Sequence, residues 1–361
     1  MKINRANRTT GRRDSIAIIS DGSAVPGMGD IGPEAALLVM EDKALIFKSL
    51  AGIDAYPICL RAQSDDELIS AVASMEPTFA GINLEDIASP RCFHIESRLK
   101  EVMNIPVFHD DMHGTAIVVL AGLINAFRIT MRDYTRVKIA INGAGAAGIA
   151  VAKLLHGYGI RDIVVCDKHG AIYDGRIENM NMEKQWIALN TNSSKKRGDI
   201  KEVIRDCDVL IVLSAANVLS SDDVRKMAPE SIIFVMSSPE PEILPNLARC
   251  GGARIIGTEC SDYSNHIDNV LVFPGFFLGL LVAKCAKITD EMKMAAADAL
   301  AGVIKMPDLK DDAILPDLFD RRVVPSIAMS VALAAIRSGV TKENISVSDI
   351  SKQIDERISE L

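Results

Sequence analysis

The stretch VFHDDMHGTAIVVLAGLINAF, residues 107–127, sets two adjacent aspartates between two histidines just where an apolar run begins. Aspartate is favoured at a helix N-terminus, where its oxygens accept backbone N–H groups that lack an intrahelical partner. Capping would explain one acidic pair, but a second pair, Glu85 and Asp86, ends another apolar run in FAGINLEDIASPR. Ligands of open α/β sheets bind beyond the carboxyl ends of the strands, so the two pairs are expected to converge there. Carboxylates gathered in this way repel one another unless a divalent cation neutralises them. An all-oxygen donor set with room for water and substrate suits Mg2+ or Mn2+ better than zinc. His109 and His113 are read as hydrogen-bonded structural groups rather than ligands.

A hydroxyl substrate also needs a base. Lys43 has Val39, Met40, Ile46 and Phe47 three or four positions away, so on a helix its amine emerges from an apolar face. Burial there is expected to lower its pKa toward that of a usable base. Lys48, with Ala44, Leu45 and Ala51 around it, qualifies almost as well, and spacing does not choose between the two. A lysine that snorkels to solvent would show the same pattern.

In IAINGAGAAGIAVAKLL, Gly143, Gly145 and Gly148, with Ala144, Ala146 and Ala147 between them, form G-x-G-x-x-G between an apolar strand and an apolar helix. The glycines permit a tight turn and close approach of backbone to a pyrophosphate, whose charge then sits at the helix N-terminus. Nineteen residues after Gly148, Asp167 ends the run DIVVCD, where a carboxylate is placed to accept ribose hydroxyls. That favours NAD, while the adjacent Lys168 leaves a phosphate-tolerant site, and so NADP, open.

The elements that must hold these residues follow from the rest of the chain. Its 361 residues are 48% hydrophobic with a net charge of −8, enough for two domains with separate cores. The acidic balance argues against nucleic acid or a membrane surface and for a small-molecule substrate. Seven scattered cysteines without C-x-x-C pairing point to reduced thiols in a cytoplasmic protein. The longest apolar stretch, VLVFPGFFLGLLVA, is broken by Pro274 and Gly275, and no membrane-crossing helix is expected. The basic opening MKINRANRTTGRRD does not read as a secretory signal.

Strand-like runs alternate with helix-period segments, which predicts an α/β fold with parallel sheets. The first series is SIAIIS, AYPICL, TFAGINL and IPVFH; the second is RVKIAIN, IRDIVVCD, CDVLIVLS, SIIFVMSS and ARIIGT. The expected layout is an N-terminal α/β substrate and metal domain over 1–117 and a Rossmann-type doubly wound dinucleotide-binding domain over 118–280. Helices over 281–361 are expected to pack back on the first domain.

Together these motifs resemble the malic enzymes of the short bacterial type. The resemblance runs through SDGSAVPGMGDIGP, VMEDKALIFKSLAGIDAYPICL, GINLEDIASPRCF, PVFHDDMHGTAIVVLAGL, NGAGAAGIA, SPEPEI, SDYSNHIDNVLVFPG and RRVVPSIAMSVALAA. It implies that Glu85, Asp86 and Asp111 bind the metal, that Lys43 rather than Lys48 is the general base, and that Asp110 is its carboxylate neighbour. It further implies that Asn269 contacts substrate and that the enzyme is a homodimer. The implied reaction is oxidation of L-malate at C2 by hydride transfer to NAD(P)+, followed by loss of C4 as CO2. Enolpyruvate is then protonated at C3, in this family by a tyrosine in a YTPGVA-like segment.

No YTPGVA-like segment stands in these 361 residues, so protonation is expected to suffer more than hydride transfer. Tyr56, a conceivable substitute acid, is read as a core residue. Ser238 replaces a substrate-contacting asparagine, and TECSDYSNHIDN brings Glu259, Cys260, Ser264 and Asp268 into a pattern that resembles TGRSDYPNQVNN. These changes allow a related 2-hydroxy acid as substrate. The competing expectations are a 2-hydroxy-acid dehydrogenase, a malolactic activity, and a non-catalytic NAD-binding paralogue.

Overall fold

The computed structural model describes residues 11–214, 219–237 and 241–361. Ser238 and residues 1–10 of the basic opening lie outside the described residues. The chain forms two compact units, the first comprising residues 1–114, 269–303 and 317–361, the second residues 115–268 and 304–316. The boundaries at 114 and 268 fall before those drawn from sequence. Most of the C-terminal helices join the first unit, while 304–316 joins the second.

The first unit is built on β1 (Ser15–Ser20), α1 (Gly32–Ala51), β2 (Asp54–Cys59), α2 (Asp65–Ser74), β3 (Gly81–Leu84), α3 (Arg91–Val102), β4 (Val107–His109) and the start of α4 (Asp110–Thr130). Its four strands are parallel in the order β2-β1-β3-β4. β1 and β3 are buried along their whole length, as the β-branched and apolar runs require of central parallel strands. Because β2 lies on one side of β1 and β3 on the other, the connections diverge between β1 and β3, and a crevice opens at their carboxyl ends. Glu85 and Asp86 directly follow β3.

Helix α1 begins with Pro33 in its first turn and ends at Gly52, whose left-handed φ of 64° lets its N–H reach the carbonyls of Lys48 and Phe47. Met40 and Phe47 face the core, and the Phe47 ring lies 4.6 Å from Phe273 and 5.4 Å from Phe277. Those two rings belong to α7 (Phe273–Val282), which is buried throughout. Helices α8 (Asp290–Ala301), α9 (Val323–Arg337) and α10 (Val347–Ser359) complete the unit.

The second unit carries β5 (Lys138–Asn142), α5 (Ala146–Tyr158), β6 (Asp162–Asp167), β7 (Gly170–Ala171), α6 (Met182–Asn190), β8 (Val209–Val212), β9 (Ser231–Val235) and β10 (Ala253–Thr258). The sheet order is β10-β9-β8-β5-β6-β7, parallel except for β7. This is the doubly wound order, with its switch point between β5 and β8 and one short antiparallel edge strand that the sequence pattern did not reveal. One further expectation changes. Tyr56 is 52% exposed, because β2 is an edge strand, and its ring lies 5.8 Å from that of Phe79. Helix α4 spans 21 residues and is long and apolar enough to cross a membrane, yet 78% of its apolar window is buried within the protein, as befits a core helix.

Phe47→Ala is expected to destabilise the first unit by about 3–5 kcal/mol, because the void lies among rings that have no room to collapse. An unchanged urea midpoint for that unit would contradict this packing.

Candidate active site

Three elements of the first unit deliver charge to one place. From α1, the Lys43 amine donates to Glu85 Oε2 at 2.8 Å and to Asp110 Oδ2 at 2.9 Å, and it stands 5.2 Å over the Phe273 ring. Lys48, the competing candidate, is exposed and pairs with Asp54 at 2.7 Å. Asn83 precedes Glu85 by two strand positions, so it shares that residue's face and its Nδ2 donates to Glu85 Oε1 at 2.7 Å. Asp86 adopts a left-handed φ of 56°, held by its N–H donating to Asp111 Oδ2 at 2.9 Å and by its carbonyl accepting from Ala24 N–H at 2.9 Å. A non-glycine residue in that region is strained, and the two backbone bonds fix it there.

Asp110 and Asp111 open α4, whose N-terminal dipole favours their negative charge. One turn on, a Cβ at Gly114 would stand 2.0 Å from Asp110 Oδ1 and 3.1 Å from Asn269 Cβ. Glycine there is a steric requirement, and it leaves Asn269 next to Asp110. Oxygens of Glu85, Asp86 and Asp111 lie within 4.8 Å of one another. Asp86 Oδ2 and Asp110 Oδ1 are buried without a hydrogen-bond partner. Buried carboxylate oxygens left unpaired are costly, and a divalent cation with oxygen ligands fits this donor set.

The electrostatics follow from burial and crowding. Burial, then the charge of Asp111, pushes Asp86 up to about 8. Burial also raises Asp110, to about 6, against the pull of Lys43. Glu85 is driven well above the ordinary carboxylate range, again chiefly by burial. For Lys43 burial acts downward, but Asp110, Glu85 and Asp111 outweigh it and hold the amine well above the usual lysine value. The depressed lysine expected from an apolar helix face is thus corrected: the face is apolar, but the amine ends among carboxylates. Without a cation the cluster retains protons that it would surrender to one.

The two histidines differ. His113 Nε2 lies 2.8 Å from Glu96 Oε1, which Lys100 also reaches at 2.7 Å, tying α3 to the first turn of α4. His109 is fully buried with neither ring nitrogen hydrogen-bonded, and its Nδ1 is 3.7 Å from Asp111 Oδ2. The expectation of a hydrogen-bonded group therefore holds for His113 and fails for His109.

In the second unit, a Cβ at Gly143 would strike the Leu213 carbonyl at 2.3 Å, and one at Gly148 would strike the Gly143 carbonyl at 1.9 Å. At Gly145 a Cβ would meet nothing within 4 Å. Two glycines therefore close the β5–α5 turn, and the third leaves open space at the N-terminus of α5, where Ala146 and Ala147 begin the helix without a side-chain cap. That open cradle fits a dinucleotide pyrophosphate. Asp167 is not the free acceptor expected from its position. Its oxygens receive Arg176 Nη2 at 2.8 and 2.9 Å, Lys184 Nζ at 2.7 Å, Asn179 Nδ2 at 3.1 Å and the His169 N–H at 2.9 Å. These contacts fill its lone pairs and hold it below the usual carboxylate range although burial acts the other way. Lys168 beside it is exposed. Arg176 lies in an aperiodic loop and Lys184 in the first turn of α6, and no sequence signal singled them out.

Fold and site together define a two-unit α/β oxidoreductase with a dinucleotide-binding unit. Residues 3–100 match the family model of the malic enzyme N-terminal domain, and residues 112–245 and 258–338 match that of the malic enzyme NAD-binding domain. The chain belongs to the malic enzyme family. It is 49% identical over 97% of its length to the bifunctional malic/malolactic enzyme of Bacillus subtilis, covering 86% of that protein. It is 47% identical, over 97% of its length and 73% of the relative, to the NAD-dependent malic enzyme of Geobacillus stearothermophilus. The solved NAD-dependent malic enzyme of Thermotoga maritima superposes with a TM-score of 0.88 at 41% identity, covering 91% of this chain and 86% of that one.

Since folding raises the pKa of Asp86 to about 8, the folded state binds protons that the unfolded chain has released. The resulting stabilisation is complete below the ordinary carboxylate pKa and lost as pH rises through about 8. Cation-free protein is therefore expected to melt at lower temperature at about pH 8 than at about pH 6. Mn2+ at about a hundredfold excess over its Kd should restore roughly 2.7 kcal/mol at the higher pH. An equal Mn2+ shift in Asp86→Asn would sink the assignment of these carboxylates.

Proposed function

We propose that this chain oxidises and decarboxylates L-malate to pyruvate and CO2, reducing NAD+ or NADP+, with Mg2+ or Mn2+ bound by Glu85, Asp86 and Asp111. The observation that carries the reading is Lys43 clasped between Glu85 and Asp110, beside a three-carboxylate cluster at the switch point of a parallel sheet. When bound, the cation supplies an electrophile for the substrate's C1–C2 oxygens and an electron sink for decarboxylation, and the nicotinamide supplies the hydride acceptor.

The chain's own residues handle the protons and the orientation. Lys43 takes the C2 hydroxyl proton at Nζ, which requires the neutral amine. Glu85, Asp110 and Asp111 keep it charged, so compensation of their charge is what frees it to act near neutral pH. Asp110 aligns the amine and can receive the proton in turn. Asn269, beside Asp110 across Gly114, is suited to donate to a substrate carboxylate. Ser238 is proposed as a further substrate contact, leaving more space than the longer asparagine it replaces. Breaking C3–C4 then releases CO2 and leaves enolpyruvate, which takes a proton at C3. In the second unit, the Gly143–Gly148 turn receives the pyrophosphate. Asp167, saturated by Arg176 and Lys184, shapes the adjoining ribose end together with Lys168. A cytoplasmic homodimer completes the reading: all seven cysteines are free, and Leu38 and Leu45 expose apolar surface on α1 to a second copy.

A second reading is favoured by one relative, the B. subtilis enzyme named as bifunctional malic/malolactic. Here the hydride returns to pyruvate and the product is lactate. Purified protein incubated with L-malate, Mn2+ and NAD+ separates the two, since pyruvate with stoichiometric NADH supports the first and lactate with NAD+ unchanged supports the second. Absence of both products would overturn the proposal.

Lys43→Met is expected to lower kcat by about 10²–10⁴-fold, the contribution of a positioned base, while NADH binding stays within about twofold. Activity unchanged in this variant would remove Lys43 from the mechanism. Replacing Arg176 and Lys184 together by glutamine should release Asp167 to accept ribose hydroxyls and repel a 2′-phosphate. The kcat/KM ratio of NAD+ over NADP+ is then expected to rise about tenfold or more. A ratio that stays put would mean that Asp167 has no part in cofactor choice.

A further inference from the structure

Outside both sites just described, one buried carboxylate has no counter-charge. Glu242, from the SPEPEI motif, is 0% exposed, and among the described residues no lysine, arginine or histidine pairs with it. Its Oε1 accepts the Ser214 N–H at 3.1 Å and its Oε2 accepts the Ser237 N–H at 3.2 Å. Ser214 follows the end of β8 and Ser237 follows the end of β9. Ser214 Oγ in turn accepts Asn142 Nδ2 at 2.9 Å, and Asn142 is the last residue of β5, directly before Gly143. Three adjacent strands thus have their carboxyl ends linked in series, and Glu242 makes two of the three links.

That edge, at the switch point between β5 and β8, is where a doubly wound sheet receives its dinucleotide. A fully buried carboxylate without a cation is expensive to keep, and two backbone N–H groups could be satisfied more cheaply by a neutral group. Burial drives the Glu242 carboxyl up to about 7, while the N–H groups of Glu242, Ser214, Ser237 and Met236 draw it partly back. Among the described residues, the side chains that make this linkage, those of Asn142 and Ser214, are neutral, and Ser237 contributes only its backbone N–H.

We infer that Glu242 is a positioning residue for the cofactor: its two carboxylate oxygens hold Ser214 and Ser237, just past the carboxyl ends of β8 and β9, at the spacing the nicotinamide dinucleotide requires. The inference rests on the proposed use of NAD(P). In the protonated acid one oxygen carries the proton and becomes a much poorer acceptor for the facing N–H. In glutamine the amide nitrogen is a donor alone and leaves the facing N–H without an acceptor at every pH.

The test is NADH fluorescence titration of the intact protein at about pH 8 and about pH 6, for the wild type, Glu242→Gln and Glu242→Asp, alongside thermal melts. The wild-type Kd is expected to rise about tenfold between about pH 8 and about pH 6, in step with loss of one acceptor bond. Glu242→Gln should show the weakened Kd at both pH values. Its Tm at about pH 8 should equal or exceed that of the wild type, because an unpaired buried charge has gone. Glu242→Asp, a carboxylate on a shorter stem, should keep the pH dependence with an offset Kd. Wild-type Kd and pH profile in Glu242→Gln would overturn the inference. So would a weakened Kd that merely tracks a lowered Tm, which marks a structural role alone. A wild type that binds no NADH at about pH 8 would instead defeat the proposed cofactor use.

Discussion

One ammonium group set among more carboxylates than it can neutralise is the constraint on which the first unit depends. Lys43 satisfies Glu85 and Asp110 directly, but Asp86 and Asp111 stand within reach of the same space, and oxygens of Asp86 and Asp110 remain unpaired. Such a cluster is destabilising in isolation, since buried charges recover their lost hydration only through complete pairing. The fold holds it together with elements that have no freedom to relax: a central parallel strand, a helix locked by the Phe47–Phe273–Phe277 rings, and a left-handed Asp86 tied at both backbone ends.

Both units solve the same problem in the same place. Each is a parallel sheet whose strand connections diverge, and each puts its chemistry at the carboxyl ends beside that divergence. Helix N-termini lie at both edges. In the first unit the α4 terminus carries Asp110 and Asp111, and its dipole offsets part of their repulsion. In the second unit the α5 terminus is left bare beside Gly145, so its N–H groups remain available to an anion. The same dipole thus stabilises fixed carboxylates in one unit and awaits a ligand's charge in the other.

Much of this was legible beforehand because it lies in short-range pattern. The glycine turn, the acidic pairs after strands and the apolar face around Lys43 are local features with a fixed period, and the malic enzyme resemblance ordered them along the chain. Asn83 could have been added by the same logic, two residues before Glu85 on one strand face. Other features were hidden. Arg176 and Lys184 reach Asp167 from an aperiodic loop and a following helix, Glu242 sits in a motif whose partners are backbone groups, and His109 reads from sequence as a hydrogen-bonded group like His113.

By itself the sequence determined which segments become strands and helices and which residue types stand at their ends, because side-chain period and turn chemistry are properties of neighbours. It also carried the family. Only the tertiary structure left Lys48 exposed beside Asp54, raised rather than lowered the Lys43 pKa, filled the lone pairs of Asp167 and brought Tyr56 to the surface. Each of these contacts depends on what long-range packing places within a few ångströms. Electrostatic energy varies steeply over that distance, and no local spacing encodes it.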